Sequence, residues 1–380
     1  MKIGILTLPL HINYGGILQA YALQTVLERM GNDVVVYQKE IKPLYKLPIW
    51  KCPFAYSKRI LQKFFVNKNQ PLFVEQKQKK EFPLTRKYIN RFIQENIHTV
   101  FINKPSDINL SEIDCIFIGS DQIWRPFHVY NLFKADITDA FLKFANGWKG
   151  KRIAYATSFG VDYWEYSKKQ TQECRELIKL FDAVSVREES AIKLCADNLG
   201  IKVEQVLDPT LLLDKEDYMK FVNKSKMLKC DRLLFGYILD ATDDKQAYVN
   251  KVAFKLGLKP FFMGLASANI SDSIEKRTAQ PVEKWLRCFY DAEFIVTDSF
   301  HGCIFSIIFN KPFIAIGNPE RGMSRFTSLL SMFGLESRLV SDINDVRLAE
   351  ITKEPYDIVN VLREMRGKSL NFLNEMLTNS

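Results

Sequence analysis

Residues 294–316, FIVTDSFHGCIFSIIFNKPFIAI, constrain the fold more than any other stretch of the chain. The apolar run 294–296 predicts a short buried strand. The apolar run 303–309 predicts a helix, which ends at the Asn-Lys-Pro sequence 310–312, and residues 313–316 predict a second buried strand. A strand, a polar loop, a helix and another strand in this order indicate an α/β fold.

His301 lies in the loop of this unit, at the start of the predicted helix. A helix N-terminus carries unpaired N–H groups and partial positive charge, so it favours an anion. A histidine at that place can donate or accept a proton beside a bound phosphate or carboxylate. A capping loop with a solvated histidine explains the same residues, and the stretch alone leaves both interpretations open.

Two α/β patterns occur along the chain. The first opens with a predicted strand at 2–7, a small-residue loop at 13–16, a helix at 17–30 and a strand at 33–37. The loop lacks the G-x-G-x-x-G spacing, so it does not predict dinucleotide binding. The second pattern begins at a strand predicted over 233–239. Two such halves predict two Rossmann-like domains that face a cleft.

The predicted domain boundaries follow from these patterns. The first Rossmann-like domain, on the acceptor side, spans residues 1–207, and Pro209 marks its junction with the second. The second domain, on the donor side, spans 208–354. Residues 355–380 are predicted to form a terminal helix that packs back on the first domain.

Residues 41–109 form an insertion that is rich in lysine, arginine and proline. We interpret it as short helices and loops inserted into the first domain. A solvated basic face is one reading of its charge. The other is peripheral contact with anionic lipid headgroups or a lipid-linked phosphate.

The amino-acid composition indicates which classes of partner the protein is expected to bind. A net charge of +9 favours anionic partners, but no nucleic-acid-reading motif accompanies it, so nucleic acid is not expected. No apolar run approaches the roughly 20 residues that span a bilayer. Seven scattered cysteines and four histidines show no metal spacing. These features predict a cytoplasmic protein without a metal site, and the basic insertion leaves open a position at the inner face of the membrane.

Polar residues follow several predicted strands. Gly, Ser, Asp, Gln and Trp at 119–124 are typical of a sugar site, although a turn with a packing tryptophan fits them equally. Arg187, between a strand end and a helix, suits bidentate contact with a carboxylate or phosphate, unless it pairs with Glu188 or Glu189. The residues predicted to bind the sugar acceptor are Asn13, Gly15, Gly16, Ser120, Asp121, Gln122 and Trp124. Those predicted to hold the donor anion are Arg187, Ser299, Gly302, Arg321 and Arg325.

Seven motifs together resemble the polysaccharide pyruvyl transferase family. They are NYGG (13–16), LQAYAL (18–23), GSDQIW (119–124), IAYATSFG (153–160), SVREES (185–190), DPT (208–210) and TDSFHG (297–302). The resemblance implies a GT-B-like fold and ketal pyruvyl transfer from phosphoenolpyruvate to a sugar, with no further cofactor. It implies His301 as the catalytic acid or base and Arg187 as a donor contact.

The chain departs from the family pattern at one place. Better-known relatives carry an arginine two positions before the histidine, where this chain has Ser299. The anion contact of that arginine must come from elsewhere, and we expect it from Arg321 or Arg325. A GT-B glycosyltransferase that uses a nucleotide sugar, and a non-catalytic carbohydrate-binding protein, remain the alternatives.

Overall fold

A computed structural model describes residues 1–41, 50, 52–65, 71–227, 229–317, 322–340 and 358–378, apart from the side chains of 52 and 62–64. Arg321 and the predicted helix start at Pro355 lie outside these residues.

The first domain is built on a seven-stranded parallel sheet with the order β3-β2-β1-β4-β5-β6-β7. It opens with the predicted βαβ unit, β1, α1 and β2. They are β1 (Lys2–Leu6), α1 (Tyr14–Arg29), β2 (Asp33–Lys39), α2 (Cys52–Phe65), α3 (Val74–Thr85), α4 (Lys87–Asn96), β3 (Thr99–Ile102), β4 (Cys115–Ile118), β5 (Lys151–Thr157), α5 (Lys168–Ile178), β6 (Ala183–Val186), α6 (Glu189–Leu194) and β7 (Glu204–Gln205).

The second domain has a five-stranded parallel sheet with the order β12-β11-β10-β8-β9. Its elements are α7 (Lys215–Val222), β8 (Leu233–Tyr237), α8 (Asp243–Leu256), β9 (Lys259–Met263), α9 (Val282–Asp291), β10 (Phe294–Thr297), α10 (Phe300–Ile308), β11 (Phe313–Ile316), α11 (Met323–Met332), β12 (Leu339–Val340) and the terminal α12 (Ile358–Thr378). Two parallel sheets in two domains confirm the predicted α/β, GT-B-like fold.

Residues 294–316 adopt the predicted strand–helix–strand order, but the helix starts earlier than predicted. β10 pairs in parallel with β11, through Val296 and Ile314 for example. Both strands are buried along their whole length, as expected of apolar runs in a parallel sheet. Helix α10 begins at Phe300 instead of residue 303, because the Ser299 side chain accepts a hydrogen bond from the Gly302 N–H and caps it.

The predicted insertion, residues 41–109, supplies the helices α2, α3 and α4, but it also contains β3, which pairs in parallel with β2 and so belongs to the core sheet. The insertion contacts the second domain through Arg277, which forms an ion pair with Glu81 of α3. The predicted boundary at 207/208 lies between β7 and β8, which belong to different sheets, and its position stays a prediction.

Helix α12 contacts the first domain at several points. The Ser369 hydroxyl accepts a hydrogen bond from the Leu207 N–H at 3.0 Å, and the Phe372 ring lies 6.1 Å from that of Tyr155. In the part of the chain that the structure describes, no helix is long and apolar enough to cross a membrane.

One apolar cluster joins the two domains. Trp285 of α9 is fully buried, and its ring stacks on Tyr14 of α1 with centroids 5.3 Å apart. The Tyr14 hydroxyl donates a hydrogen bond of 2.9 Å to the Gln280 carbonyl. The N-terminus of α1 is therefore held against the second domain, on the side of the cleft.

We predict that Trp285→Ala lowers the free energy of unfolding by about 3–5 kcal/mol, because it leaves a cavity in this shared cluster. Urea denaturation measures the change. Phe254→Ala is the control, since Phe254 is 87% exposed and its loss should alter stability by no more than about 0.5 kcal/mol. Equal effects of the two substitutions would show that Trp285 does not join the domains.

Candidate active site

A cleft of about 360 Å³ lies between the two domains. It is bordered by loops that follow β1 and β4 of the first sheet and β8 and β10 of the second. Ligands of parallel α/β proteins bind at this carboxyl edge of the strands. The residues that line it are Asn13, Asp121, Gln122, Arg125, Phe127, His128, Leu239, Asp298, Ser299, Phe300, His301, Arg325 and Phe326.

His301 lies on the first turn of α10 and faces this cleft. Only 6% of the residue is exposed. Ser299 precedes the helix, and its hydroxyl accepts a hydrogen bond of 3.2 Å from the Gly302 N–H. A side chain on Gly302 would lie 2.2 Å from the Thr297 hydroxyl, so this glycine lets α10 pack against β10. Ser299 and Gly302 therefore position His301, and the capped N–H of Gly302 is already in use.

Gly15 gives the His301 ring its space. A Cβ atom on Gly15 would lie 2.1 Å from Nδ1 of His301, which is far inside contact distance. Helix α1 begins at Tyr14, and its N-cap Asn13 makes no side-chain capping hydrogen bond. The N-termini of α1 and α10 thus meet at the imidazole, and both contribute positive potential to the cleft. Gly15, predicted as an acceptor contact, packs against His301.

Asp208 links His301 to Arg187. Its Oδ2 lies 2.9 Å from Nη1 of Arg187 and 3.7 Å from Nε2 of His301. The second distance exceeds a hydrogen bond, so the carboxylate acts on the imidazole mainly through its charge. Its Oδ1 accepts hydrogen bonds from Thr210, at 3.0 Å from N and 2.6 Å from Oγ1. Nε2 of His301 has no hydrogen-bond partner among the described residues.

Burial alone would raise the pKa of Asp208, but His301, Arg187 and Thr210 hold that pKa well below its usual value. An ionised Asp208 therefore faces His301 at neutral pH. A carboxyl whose folded-state pKa is lowered adds stability above its unfolded value near ~3.9, and this contribution is lost as the pH falls below it.

Two buried guanidinium groups flank the Phe300 ring. The central carbon of Arg187 lies 4.4 Å from the ring centroid, and that of Arg325 lies 5.6 Å from it. Burial and the charge of Arg187 lower the pKa of Arg325 to about 10. The Asp121 and Glu188 carboxylates act on both guanidinium groups, and Asp208 adds its charge at Arg187.

Arg187 is paired with Asp208, not primarily with Glu188 or Glu189. The distance from its Nε to Glu188 Oε2 is 3.8 Å, and the Glu188 carboxylate already accepts hydrogen bonds from Ser158 and the backbone of Phe159. Nε and Nη2 of Arg187 have no hydrogen-bond partner among the residues that the structure describes. The edge of the guanidinium that carries them lies 3.8 Å from the Glu188 and Asp121 carboxylates, and Arg187, which is 4% exposed, is not among the residues that line the cleft.

Asp121 and Gln122 reach the cleft, as predicted. Asp121 has a left-handed backbone, with φ at 71°, and its Oδ1 lies 3.8 Å from Nη2 of Arg187. Burial opposes its ionisation, but the charges of Arg187, His301 and Arg325 lower the pKa of Asp121 below its usual value. Gln122 Oε1 lies 3.3 Å from Nε2 of His128. Both cleft residues are thus held in the polar network.

Ser120 and Trp124 do not face the cleft, contrary to the prediction. Trp124 is fully buried; its ring stacks on Phe141 with centroids 4.9 Å apart, and its indole N–H donates to the Ala140 carbonyl at 3.3 Å. Its ring therefore packs in the core, where both its apolar face and its N–H are satisfied. Ser120 is also fully buried, and its hydroxyl donates to Asp208 at 3.3 Å. Gly16, in the first turn of α1, is half-buried, and a Cβ atom there would lie 3.4 Å from Asn13 Nδ2 and 3.6 Å from Asp121 Oδ2, two residues that line the cleft.

Arg325 lies in the cleft, and it is the one of the two predicted substitute arginines that the structure describes. Sequence reasoning missed Asp208, Phe300, Arg125, His128 and Asp298. The carboxylate of Asp298 is buried and accepts a hydrogen bond of 2.7 Å from Lys245. For Asp208, the available signal was its position directly after a strand and before a proline. The described residues contain no cluster that could hold a metal ion, and metal-free catalysis stays a prediction.

We predict that Gly15→Ala displaces the His301 ring and lowers the free energy of unfolding by about 1–3 kcal/mol, the usual effect of overpacking. Gly16→Ala is the matched control, because its nearest neighbour would be Asn13 at an ordinary 3.4 Å. Chemical denaturation measures stability, and the imidazole NMR signal of His301 reports the displacement. If Gly15→Ala leaves both unchanged, the ring does not pack against Gly15.

Comparisons with known proteins give a family and a weak structural likeness. No curated protein matched the chain in a sequence comparison. UDP-GlcNAc 2-epimerase from Methanocaldococcus jannaschii is 13% identical, with a TM-score of 0.47 over 100% of both chains. The Neisseria meningitidis UDP-GlcNAc 2-epimerase bound to UDP-GlcNAc is 12% identical, with a TM-score of 0.46 over 100% of both chains. UGT89C1 of Arabidopsis thaliana, complexed with UDP, is 11% identical, with a TM-score of 0.47 over 99% of this chain and 100% of that one.

The family model described as polysaccharide pyruvyl transferase matches residues 13–320. This range is well over half of the chain, and it contains His301, Arg187 and Asp208. The match confirms the resemblance of the seven motifs. The chain therefore belongs to the polysaccharide pyruvyl transferase family and is a transferase.

Proposed function

We propose that the protein transfers pyruvate from phosphoenolpyruvate, as a cyclic ketal, to two hydroxyls of one sugar in a surface or capsular polysaccharide or its lipid-linked precursor. Family membership supports the transferase class. The observation that carries the proposal is the position of His301, which borders a cleft beside the Asp208 carboxylate and two buried arginines.

The donor fits the positive side of this cleft. Phosphoenolpyruvate carries a carboxylate and a phosphate, and both need charged or N–H donors. Arg325 lines the cleft, Arg187 lies against the Phe300 ring that also lines it, and α10 adds its N-terminal potential. Arg325 takes the place of the arginine that relatives carry at the position of Ser299. We assign the donor to this region and the sugar to Asn13, Asp121 and Gln122 opposite.

The reaction requires a proton donor and a proton acceptor close to the central carbon of phosphoenolpyruvate. The donor methylene takes a proton and becomes a methyl group, and one sugar hydroxyl attacks the central carbon. The bond from that carbon to the phosphate oxygen breaks, and a second hydroxyl closes the ketal. Of the two hydroxyl protons, one balances the methyl proton and the other leaves with phosphate. His301, which lies beside Asp208, is suited to donate the first proton and accept the second.

Phosphate release from phosphoenolpyruvate tests the proposal. Galactosides, mannosides and N-acetylhexosamines, free and lipid-linked, serve as acceptors. We expect acceptor-dependent release, which falls by about 10²–10⁴-fold in His301→Ala because the acid–base group is lost.

Circular dichroism of His301→Ala controls for folding. Full activity in a folded His301→Ala would remove the histidine from the mechanism. The absence of release with any acceptor, together with tight binding of a nucleotide sugar, would favour glycosyl transfer; sugar binding without turnover of any donor would favour a carbohydrate-binding protein.

We further propose that the insertion contacts an anionic membrane at the cytoplasmic face. Phe54, Lys58, Leu61 and Phe65 recur at helical spacing along one side of α2. Phe54 is 76% exposed, Leu61 58% and Phe65 82%. Arg59 points to the other side, where it donates a hydrogen bond of 2.7 Å to Glu75 of α3. An apolar stripe that includes a lysine suits the interface of an anionic bilayer.

We predict that the protein sediments with phosphatidylglycerol vesicles but not with phosphatidylcholine vesicles. The double substitution Phe54→Ser, Phe65→Ser should weaken this binding by about tenfold or more, since burial of each ring contributes roughly 1.5–3 kcal/mol. Phe254→Ser, which removes an exposed ring from the second domain, is the matched control. Unchanged binding of the double variant would exclude this face of α2.

A further inference from the structure

A second cavity, of about 510 Å³, lies at the carboxyl ends of β1, β2 and β3. We call it the Arg86 groove. Helix α3 forms one wall, and the loop after β9 forms the opposite wall. Ile12, Phe82, Leu132 and Ala266 give it apolar lining, and Lys39, Arg86 and Lys134 give it positive charge. The groove therefore combines an apolar surface with cations, which is the complement of an amphipathic anion.

Arg86 is the residue that points to a ligand. It is 5% exposed, and its Nη2 donates a hydrogen bond of 3.2 Å to the Leu10 carbonyl. Its Nη1 is buried and has no hydrogen-bond partner among the described residues, and no described carboxylate pairs with it. Burial lowers the pKa of Arg86 to about 10. A buried guanidinium without a carboxylate is costly unless a ligand anion supplies the missing charge.

The neighbouring charges leave Arg86 uncompensated. Arg277, on the opposite wall, is already paired with Glu81. Lys134 lies near Lys39, and burial together with this repulsion lowers the pKa of Lys39. Burial and the charge of Arg86 lower the pKa of His11 to about 4, so His11 is neutral at physiological pH. Glu40, at the rim, is the acidic residue among those that line the groove.

The Arg86 groove adjoins the active-site cleft. Ile12 lines the groove, and the next residue, Asn13, lines the cleft. Similarly, His128 lines the cleft, and Asn131 lines the groove about one helical turn further along the chain. The two cavities are therefore neighbours on the first domain.

We propose that the Arg86 groove binds the phosphate or diphosphate group of a ligand whose other part is apolar, with Arg86 as the anion contact. This site is separate from the anion site at Arg187 and Arg325. Its role as the anchor of a lipid-linked acceptor rests on the proposed function, but the binding itself does not.

Isothermal titration calorimetry in the absence of phosphoenolpyruvate tests the groove, with farnesyl diphosphate as the probe. Farnesol and pyrophosphate, titrated separately, represent the apolar part and the anionic part of this probe. We expect farnesyl diphosphate to bind at least about tenfold more tightly than either part. Arg86→Met should weaken its binding by at least about tenfold, because a charge-assisted contact is lost. Arg86→Lys should restore part of it.

The thermal unfolding temperature distinguishes ligand binding by Arg86 from a purely structural role of this residue. Arg86→Met should leave the thermal unfolding temperature unchanged or raise it, because the substitution removes a buried unpaired charge. Arg152→Met is the matched control: Arg152 is a buried arginine that donates to the Ala145 and Trp148 carbonyls, outside the groove. It should lower the unfolding temperature and keep the affinity for farnesyl diphosphate.

His301→Ala should bind farnesyl diphosphate like the wild type. Binding at the groove can therefore be established even if the protein does not transfer pyruvate. Equal affinity of Arg86→Met and wild type would overturn the proposal. So would farnesol or pyrophosphate binding as tightly as the whole probe.

Discussion

The structure around the cleft depends on one buried carboxylate, that of Asp208. It is 2% exposed and needs compensating partners, since a buried unpaired charge is strongly destabilising. Arg187 from the end of β6 supplies the ion pair, and Thr210 supplies two hydrogen bonds. His301, from the second domain, is the third partner. The carboxylate thus couples the two sheets to the residue that faces the substrate.

The cleft is organised for anions before any ligand arrives. Arg187 and Arg325 are held on the Phe300 ring, and two helix N-termini converge on His301. Charges that are fixed in advance need no reorganisation during the reaction, which is how preorganised sites stabilise a leaving phosphate. The burial of these cations lowers the stability of the protein, and the burial of Arg86 lowers it further.

Much of the fold could be predicted from the sequence because apolar runs and helix caps are local signals. In the unit at 294–316, the strands lie where the apolar residues predict them, but the helix begins at Phe300, earlier than predicted. Three residues that resemble a loop, Phe300 to Gly302, are helical because Ser299 caps them and Gly302 fits against Thr297. The start of the helix was therefore set by two contacts within the same unit, the Ser299 cap and the fit of Gly302 against Thr297, and not by the apolar run.

The site was less predictable, because its residues meet only in the folded chain. His301 and Arg187 were found from their places beside helices and strand ends. Asp208 was missed as their shared partner, since no local pattern links it to either. Trp124 was expected to face a sugar, and a single sequence does not show on which side of a loop an indole packs.

The central claim is that Asp208 acts through His301, and a double-mutant cycle tests it most directly. Turnover with phosphoenolpyruvate and an active acceptor would be measured for wild type, Asp208→Asn, His301→Ala and the double variant, each shown to be folded. We predict that Asp208→Asn lowers turnover by about tenfold or more, and that the double variant is no slower than His301→Ala alone, as for residues that act as a unit. Losses that multiply in the double variant, or full turnover in Asp208→Asn, would contradict the account.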